Sequence, residues 1–389
     1  MIRCFIAGTL AGLTYVTRPV EMPARAATNV DFVLDAKYTR WNQHAGLALS
    51  RRGSLAVIFR DHGGDPEGKS KLLVVRADGT RVVLDLPAAS QLRQALSIYA
   101  YDCKASMGRC PAPYFGDVRL AADGTPYVTA AYFYDGMYMG YDEAAFKWNG
   151  QMWRNPLPEH FATPHDIEVV GAENGRFVFN RTYASERPFG PFCAAHDGRA
   201  ALTVNGVQED LGPGTATGLR GGYISGFSLE PDSCQDAFDR SSPPAQRLAA
   251  LQWNHGHPRK LGPGIARAVS ASGDEVGSDS PVPNEFGHPT LWHADRTITL
   301  GAGRGTANAV ADDGTIVGTM DDRAFIIRGG DSERRLTFLD DLVSDKAWHF
   351  LTALGIADRG RLLAVGRRGG GQLRIVLLDP IDVAVAVRH

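Results

Sequence analysis

The chain has 389 residues, 44% of them apolar, and a formal net charge of −2 from 41 basic and 43 acidic side chains. That is enough apolar material for a packed core and too much for a disordered chain. The balanced charge argues against nucleic acid or an anionic membrane as the main partner.

The first 26 residues have the order of an export signal. Arg3 supplies a basic start, Cys4 to Val16 is a short apolar run, and Pro23-Ala24-Arg25-Ala26-Ala27 sets small residues around a cut after Ala26. The apolar run is too short to span a bilayer. Arg18 and Glu21 interrupt the stretch before the cut. The expected product is a periplasmic or secreted domain over 27–389, a monomer without membrane insertion. Its first strand is Val30-Asp31-Phe32-Val33-Leu34.

Seven segments then share one pattern: an apolar stretch, a polar turn ending in glycine, and a second apolar stretch. GLALSRRGSLAVIF from Gly46, ARAVSASGDEVGS from Ala266 and ANAVADDGTIVGT from Ala307 show it clearly. The turn glycines are Gly53, Gly124, Gly175, Gly222, Gly273, Gly314 and Gly360. Each unit continues with a second hairpin, marked at Asp78-Gly79, Asn149-Gly150 and Asn205-Gly206. Two hairpins make four antiparallel strands, and a ring of such sheets buries faces that one sheet leaves open. The sequence therefore predicts an all-β, seven-bladed β-propeller. Val30–Leu34 is expected to complete the last sheet, which otherwise runs out of chain after Leu373 to Pro380. The stretch Pro87 to Phe115 reads as an insertion with a short helix (SQLRQALSIYAY), not as a blade. A ring of six or eight blades, or two stacked sheets, is the alternative.

From Gly287 onward the chain resembles the HAF-repeat family of probable extracellular proteins. HPTLWHADRTITLGAG, ANAVADDGTIVGT, RAFIIRGG and the closing stretch from Leu336 to Pro380 carry the likeness. It covers about the last quarter of the chain, and the earlier repeats follow it as a decayed pattern. Asn is usual in the family's first turn, where this chain has Ser270, Asp312 and Asp358. The resemblance implies an exported, propeller-like repeat protein and carries no catalytic residue with it.

Candidate chemistry lies where residues depart from the repeat. His165-Asp166 could serve as a base and its orienter, but no nucleophile signature accompanies it, and a surface histidine is the better reading. His62 between Asp61 and Asp65, and the trio Asp232, Asp236 and Asp239, lack the ligand spacing of a metal site. No cofactor is expected. Trp148, Trp253 and Trp292 recur at one place in the third strand, so packing between blades is favoured over a sugar-stacking platform. Asn180-Arg181-Thr182 matches a glycosylation sequon, a match of little weight.

Cys103, Cys110, Cys193 and Cys234 remain after signal removal, and Cys103–Cys110 with Cys193–Cys234 are the preferred disulfides among three connectivities. The irregular segments Asp61–Ser70, Tyr132–Glu143, Thr182–Arg199, Phe227–Arg247 and Asp279–His288, with Pro87–Phe115, fall in connections that leave the sheets on one side. That side is the expected binding face. Its expected contacts are Tyr132, Tyr134, Tyr138, Tyr141, Arg187, Phe189 and Phe192. The expected function is a non-catalytic binding or scaffold protein for an unknown protein or glycan. The rival is an extracellular hydrolase or lyase acting on a glycan, with His165, Asp166 or His62 as acid–base groups.

Overall fold

The computed structural model describes residues 14–19, 46–61, 69–88, 90–92, 114–134, 140–157, 167–182, 198–204, 207–229, 247–282, 287–329, 334–343 and 346–381. Their strands form seven four-stranded antiparallel sheets, six with their strands in chain order and the last with one strand from the start of the chain. We number them blades I to VII. Their first strands are Leu47–Leu49, Tyr114–Leu120, Ile167–Glu173, Thr215–Arg220, Ile265–Val269, Gly305–Val310 and Trp348–Ile356. Each first strand contacts the first strand of the next blade, and Trp348–Ile356 returns to Leu47–Leu49. The seven-bladed propeller is therefore a ring around a central channel.

Every one of the seven turn glycines joins the first and second strands of its blade, with φ between +76° and +94°. That conformation costs glycine little and other residues more. A second glycine is required for a different reason. Gly277 and Gly318 lie in the second strands of blades V and VI, where a Cβ would collide with the carbonyls of Ile265 and Thr306. The repeated Val-Gly of these strands thus lets the first strand lie close.

The core is divided among the interfaces between neighbouring blades. Ala56, Leu72, Val118 and Val128 belong to the cluster between I and II. Phe325 and Ile327 meet Val276 and Leu291 between V and VI. Tryptophans pin some of these interfaces. Trp253 Nε1 donates to the Leu211 carbonyl of blade III at 2.9 Å, and Trp153 Nε1 to the Asp85 carbonyl of blade I at 2.7 Å. Trp253 and Trp292 are 0% and 2% exposed. Packing rather than sugar stacking accounts for them.

Most of the expected insertion Pro87 to Phe115 lies outside the described residues. Its first residues turn helically at Ser90–Leu92, and Leu92 is buried in the cluster between I and II. Its end differs from expectation, since the first strand of blade II begins at Tyr114. The outermost strand of blade VII is Thr14–Pro19, antiparallel to Leu373–Ile381. The strand expected there, Val30–Leu34, lies outside the described residues, and the pairing segment is upstream of it.

Candidate functional site: the central channel

Antiparallel order gives the ring two unlike ends. The turns from first to second and third to fourth strand leave at one end, here the turn face. The connections from second to third strand and the links between blades leave at the other, here the link face. Between them the first strands enclose a cavity of about 230 Å³, lined by Leu47, Leu49, Val170, Leu219, Val269 and Ile356 among others.

Five charged groups meet across the channel at the turn face. Arg51 of blade I reaches Glu173 of III at 3.2 Å, Asp312 of VI at 2.9 Å and Asp358 of VII at 2.5 Å. Arg220 of IV bonds Asp312 at 2.7 Å and also pairs with Asp358. The Arg220–Asp358 link, from IV to VII, spans three of the seven places and so crosses the channel, while Arg51 ties I to III, VI and VII around its rim. Backbone donors complete the network: Gly221 N–H to Glu173 at 2.7 Å and Ala271 N–H to Asp312 at 2.9 Å. Burial raises the Asp312 pKa, but the Arg220 hydrogen bond, the Ala271 N–H and the Arg220 and Arg51 charges outweigh it and hold the carboxyl low. The hydrogen bond to Asp358 raises Arg51, against its own partial burial.

A second charged group lies between blades II and III. Glu168 accepts from Asn180 Nδ2 at 3.1 Å, and Arg119 lies 3.5 Å from Asp117. Burial, with the charge of Asp117, pushes the Glu168 pKa up, while Arg119 and Asn180 oppose the rise. Asn180 also clasps blade IV: its Oδ1 accepts from Ala216 N at 2.7 Å and its Nδ2 donates to Ala216 O at 2.9 Å. It is 7% exposed, so the sequon is an inter-blade clamp and not a sugar acceptor.

The third element is Arg267. First strands carry β-bulges, and in blades IV, V and VI the residue at the register shift is Thr217, Arg267 and Asn308. A bulge re-aims the side chain of its extra residue. Thr217 Oγ1 donates to Ala266 O of blade V at 2.6 Å, and Asn308 Nδ2 to Ala353 O of blade VII at 2.9 Å. Arg267 makes no such bond. Its Nε is buried without a partner, and the guanidinium lines the channel. Desolvation by burial lowers its pKa to about 10, which leaves it charged at neutral pH.

The residues expected on the binding face are placed as follows. Tyr132 and Tyr134 end the second strand of blade II, Pro126–Tyr134, and Tyr141 begins the third, Gly140–Trp148. Phe133 pairs with Tyr141 in register, so this aromatic run extends a hairpin where a long loop was expected. Tyr138, Arg187, Phe189 and Phe192 lie outside the described residues, as do Cys103, Cys110, Cys193 and Cys234, and His62, His165 and Asp166. Among the described residues no cluster could hold a metal ion, and no helix is long and apolar enough to cross a membrane. Of the channel groups only Asp312 and Asp358 were singled out in the sequence, as first-turn departures and not as a site. The available signal was a charge where other units have small or aliphatic residues, as in Ala-Arg-Ala-Val against Ala-Thr-Gly-Leu and Ala-Asn-Ala-Val.

No family model matches the chain, and no curated protein matches it. Among solved structures, the β-propeller domain of the trilobed protease of Pyrococcus furiosus, of open velcro topology, is similar over 87% of this chain and 96% of its own. The identity is 7% and the TM-score 0.51. A PL25 ulvan lyase is similar over 88% and 94%, at 10% identity and TM-score 0.44. An α-L-arabinanase of Penicillium chrysogenum is similar over 86% and 92%, at 10% identity and TM-score 0.38. At such identities the likeness is one of fold, and fold does not fix activity.

Proposed function

We propose that this protein is an exported, non-catalytic binding or scaffold propeller that meets its ligand or partner at the link face. The observation that carries the reading is the charged network across the turn face. A ligand entering there would have to part five charged groups, whereas the link face receives the variable connections, where loops usually carry function. The kinship of the C-terminal repeats to the HAF family and the two disulfides belong to the same proposal. The test is a screen of the purified protein against a glycan and ester library, with product detection. A binder retains its ligand unaltered, and Tyr138→Ala with Tyr141→Ala weakens retention without unfolding.

One observation favours a second reading. Glu168 is a half-buried carboxyl with a raised pKa close to Asp117, the pairing that a general acid and its ionised partner require. If the library shows turnover, and Glu168→Gln abolishes it while the fold is kept, the protein is a hydrolase or lyase and the binding reading is wrong.

A further inference from the structure

Among the channel's charged groups Arg267 stands apart. Arg51 and Arg220 share three carboxylates, and Arg119 has Asp117. Arg267 has no hydrogen bond or ion pair among the described residues, although it lies deep enough for burial to disfavour its charge. Arg267 as a whole is half-buried, with its Nε shielded from solvent, so its charge carries a desolvation cost that a bound acceptor would offset. The turn-face network holds two arginines against three carboxylates, so it carries a surplus negative charge that can balance Arg267 at a distance. That balance supplies no acceptor to the guanidinium. Nor is Arg267 needed as an inter-blade tie, since the same bulge position is served by Thr217 and Asn308 in its neighbours.

Arg267 also faces company. Arg119 lines the same cavity from blade II. Blades II and V are three places apart in a ring of seven, as nearly opposite as seven allows. Arg51, Glu173 and Arg220 of the turn-face network also line the cavity, and the remaining wall is largely aliphatic, with Leu47, Leu49, Val170, Leu219 and Ile356. A planar donor fork suits a carboxylate's two oxygens, and an aliphatic wall suits the organic part attached to it better than it suits an inorganic ion. At about 230 Å³ the space fits a small organic acid and not a polymer.

We propose that the central channel is a binding site for a small organic carboxylate, anchored by the Arg267 guanidinium with Arg119 on the facing wall. This rests on the binding reading above and names the chemical class that the channel accepts. In that reading the acid enters from the link face, free or as the end of a larger ligand held there.

The test is calorimetric titration of the full chain with acetate and D-glucuronate, with acetamide, D-glucose and inorganic phosphate as controls, alongside melting curves. At least one carboxylate should bind saturably and raise the melting temperature, while the three controls do neither. Arg267→Met should weaken that binding about tenfold or more, and its ligand-free form should melt above the parent, since it no longer carries that desolvation cost. If Arg267→Met does not fold, Arg267→Lys keeps the charge without the fork and should lose most of the affinity. Equal binding by the folded variant, phosphate preferred to both carboxylates, or no carboxylate acting on the parent would each overturn the proposal. Those failures leave the link-face reading standing, because that is judged by library retention and the Tyr138 and Tyr141 variants. Failure of the library screen, in turn, does not alter the titration.

Discussion

At the scale of single residues, the repeat identifies its own exceptions. Glu275 follows the first turn of blade V, where blades I, VI and VII place Leu55, Ile316 and Leu362. All four are buried, and Glu275 is 0% exposed with neither carboxylate oxygen bonded. Burial pushes its pKa well above the carboxylate range, with Gln252 and Arg259 opposing. Folding therefore takes up a proton at pH values between the unfolded carboxylate value and the raised folded one. For a raised folded pKa, stability is full below the unfolded value near 4.3 and falls as pH rises toward the folded value, by about 1.4 kcal/mol per unit. Glu275→Leu should stabilise the protein at pH 7, and the gain should shrink toward pH 4. Denaturant unfolding at several pH values checks this, and a gain independent of pH would refute the protonation argument. Asn180 is the opposite kind of exception, a polar side chain fully used. Asn180→Ala leaves the Ala216 N–H and C=O without their partner. It should cost about 1–3 kcal/mol for each buried group left unpaired, read from the same unfolding curves.

At the scale of elements, the seven interfaces are unequal. The one between blades IV and V has the smallest apolar cluster, Ala250, Ala266 and Trp292, with Leu261 beside it. Polar side chains occupy the space instead: Ser225, Gln252 and Glu275 are all buried. The ring should open there first. Amide hydrogen exchange is expected to be faster in Leu248–Asn254 and Glu275–Ser278 than in Arg323–Ile327 and Leu362–Arg368, which flank the large cluster between VI and VII. The two buried tryptophans sharpen the contrast. Trp253 holds the Leu211 carbonyl, while Trp292 Nε1 has no partner. Trp253→Phe should be costlier than Trp292→Phe by about 1–2 kcal/mol, because only the first strands a carbonyl. The sequence places both tryptophans at one repeat position and so shows their packing role. It does not show which indole is bonded, because that depends on a backbone oxygen of another blade.

At the scale of the whole molecule, closure and the axial network set the behaviour. Asp312 is held low, so its contribution is present above the unfolded carboxylate value near 3.9 and is lost as pH falls through the lowered folded value. Asp312→Asn should be less stable than the parent at pH 6, and the difference should vanish in strong acid. Closure bears on processing. A cut after Ala26 removes Thr14–Pro19, the strand that pairs with Leu373–Ile381. In the exported form that edge then needs another partner, and Val30–Leu34 is the apolar segment that follows. The chain 27–389 is expected to stay folded, and deleting Asp31 to Tyr38 from it should cause aggregation. N-terminal sequencing from the native host checks the cut itself; an intact Met1 would refute it.

The blades were legible because each is local. Turn glycines, hairpin dipeptides and apolar alternation act within some forty residues, and they repeat, so the fold class and the blade number follow from the sequence. The departures were legible as departures: Arg267 and Glu275 stand where sibling units have small or aliphatic side chains. Their meaning was not. Arg51 and Asp358 are separated by 307 positions and meet only because the ring returns to its start. Arg267 is unpaired only because the bulge turns it into the channel, away from any carboxylate on its own blade. Local pattern fixed each sheet. Closure of the ring decided which charges meet on the axis and which is left for a ligand.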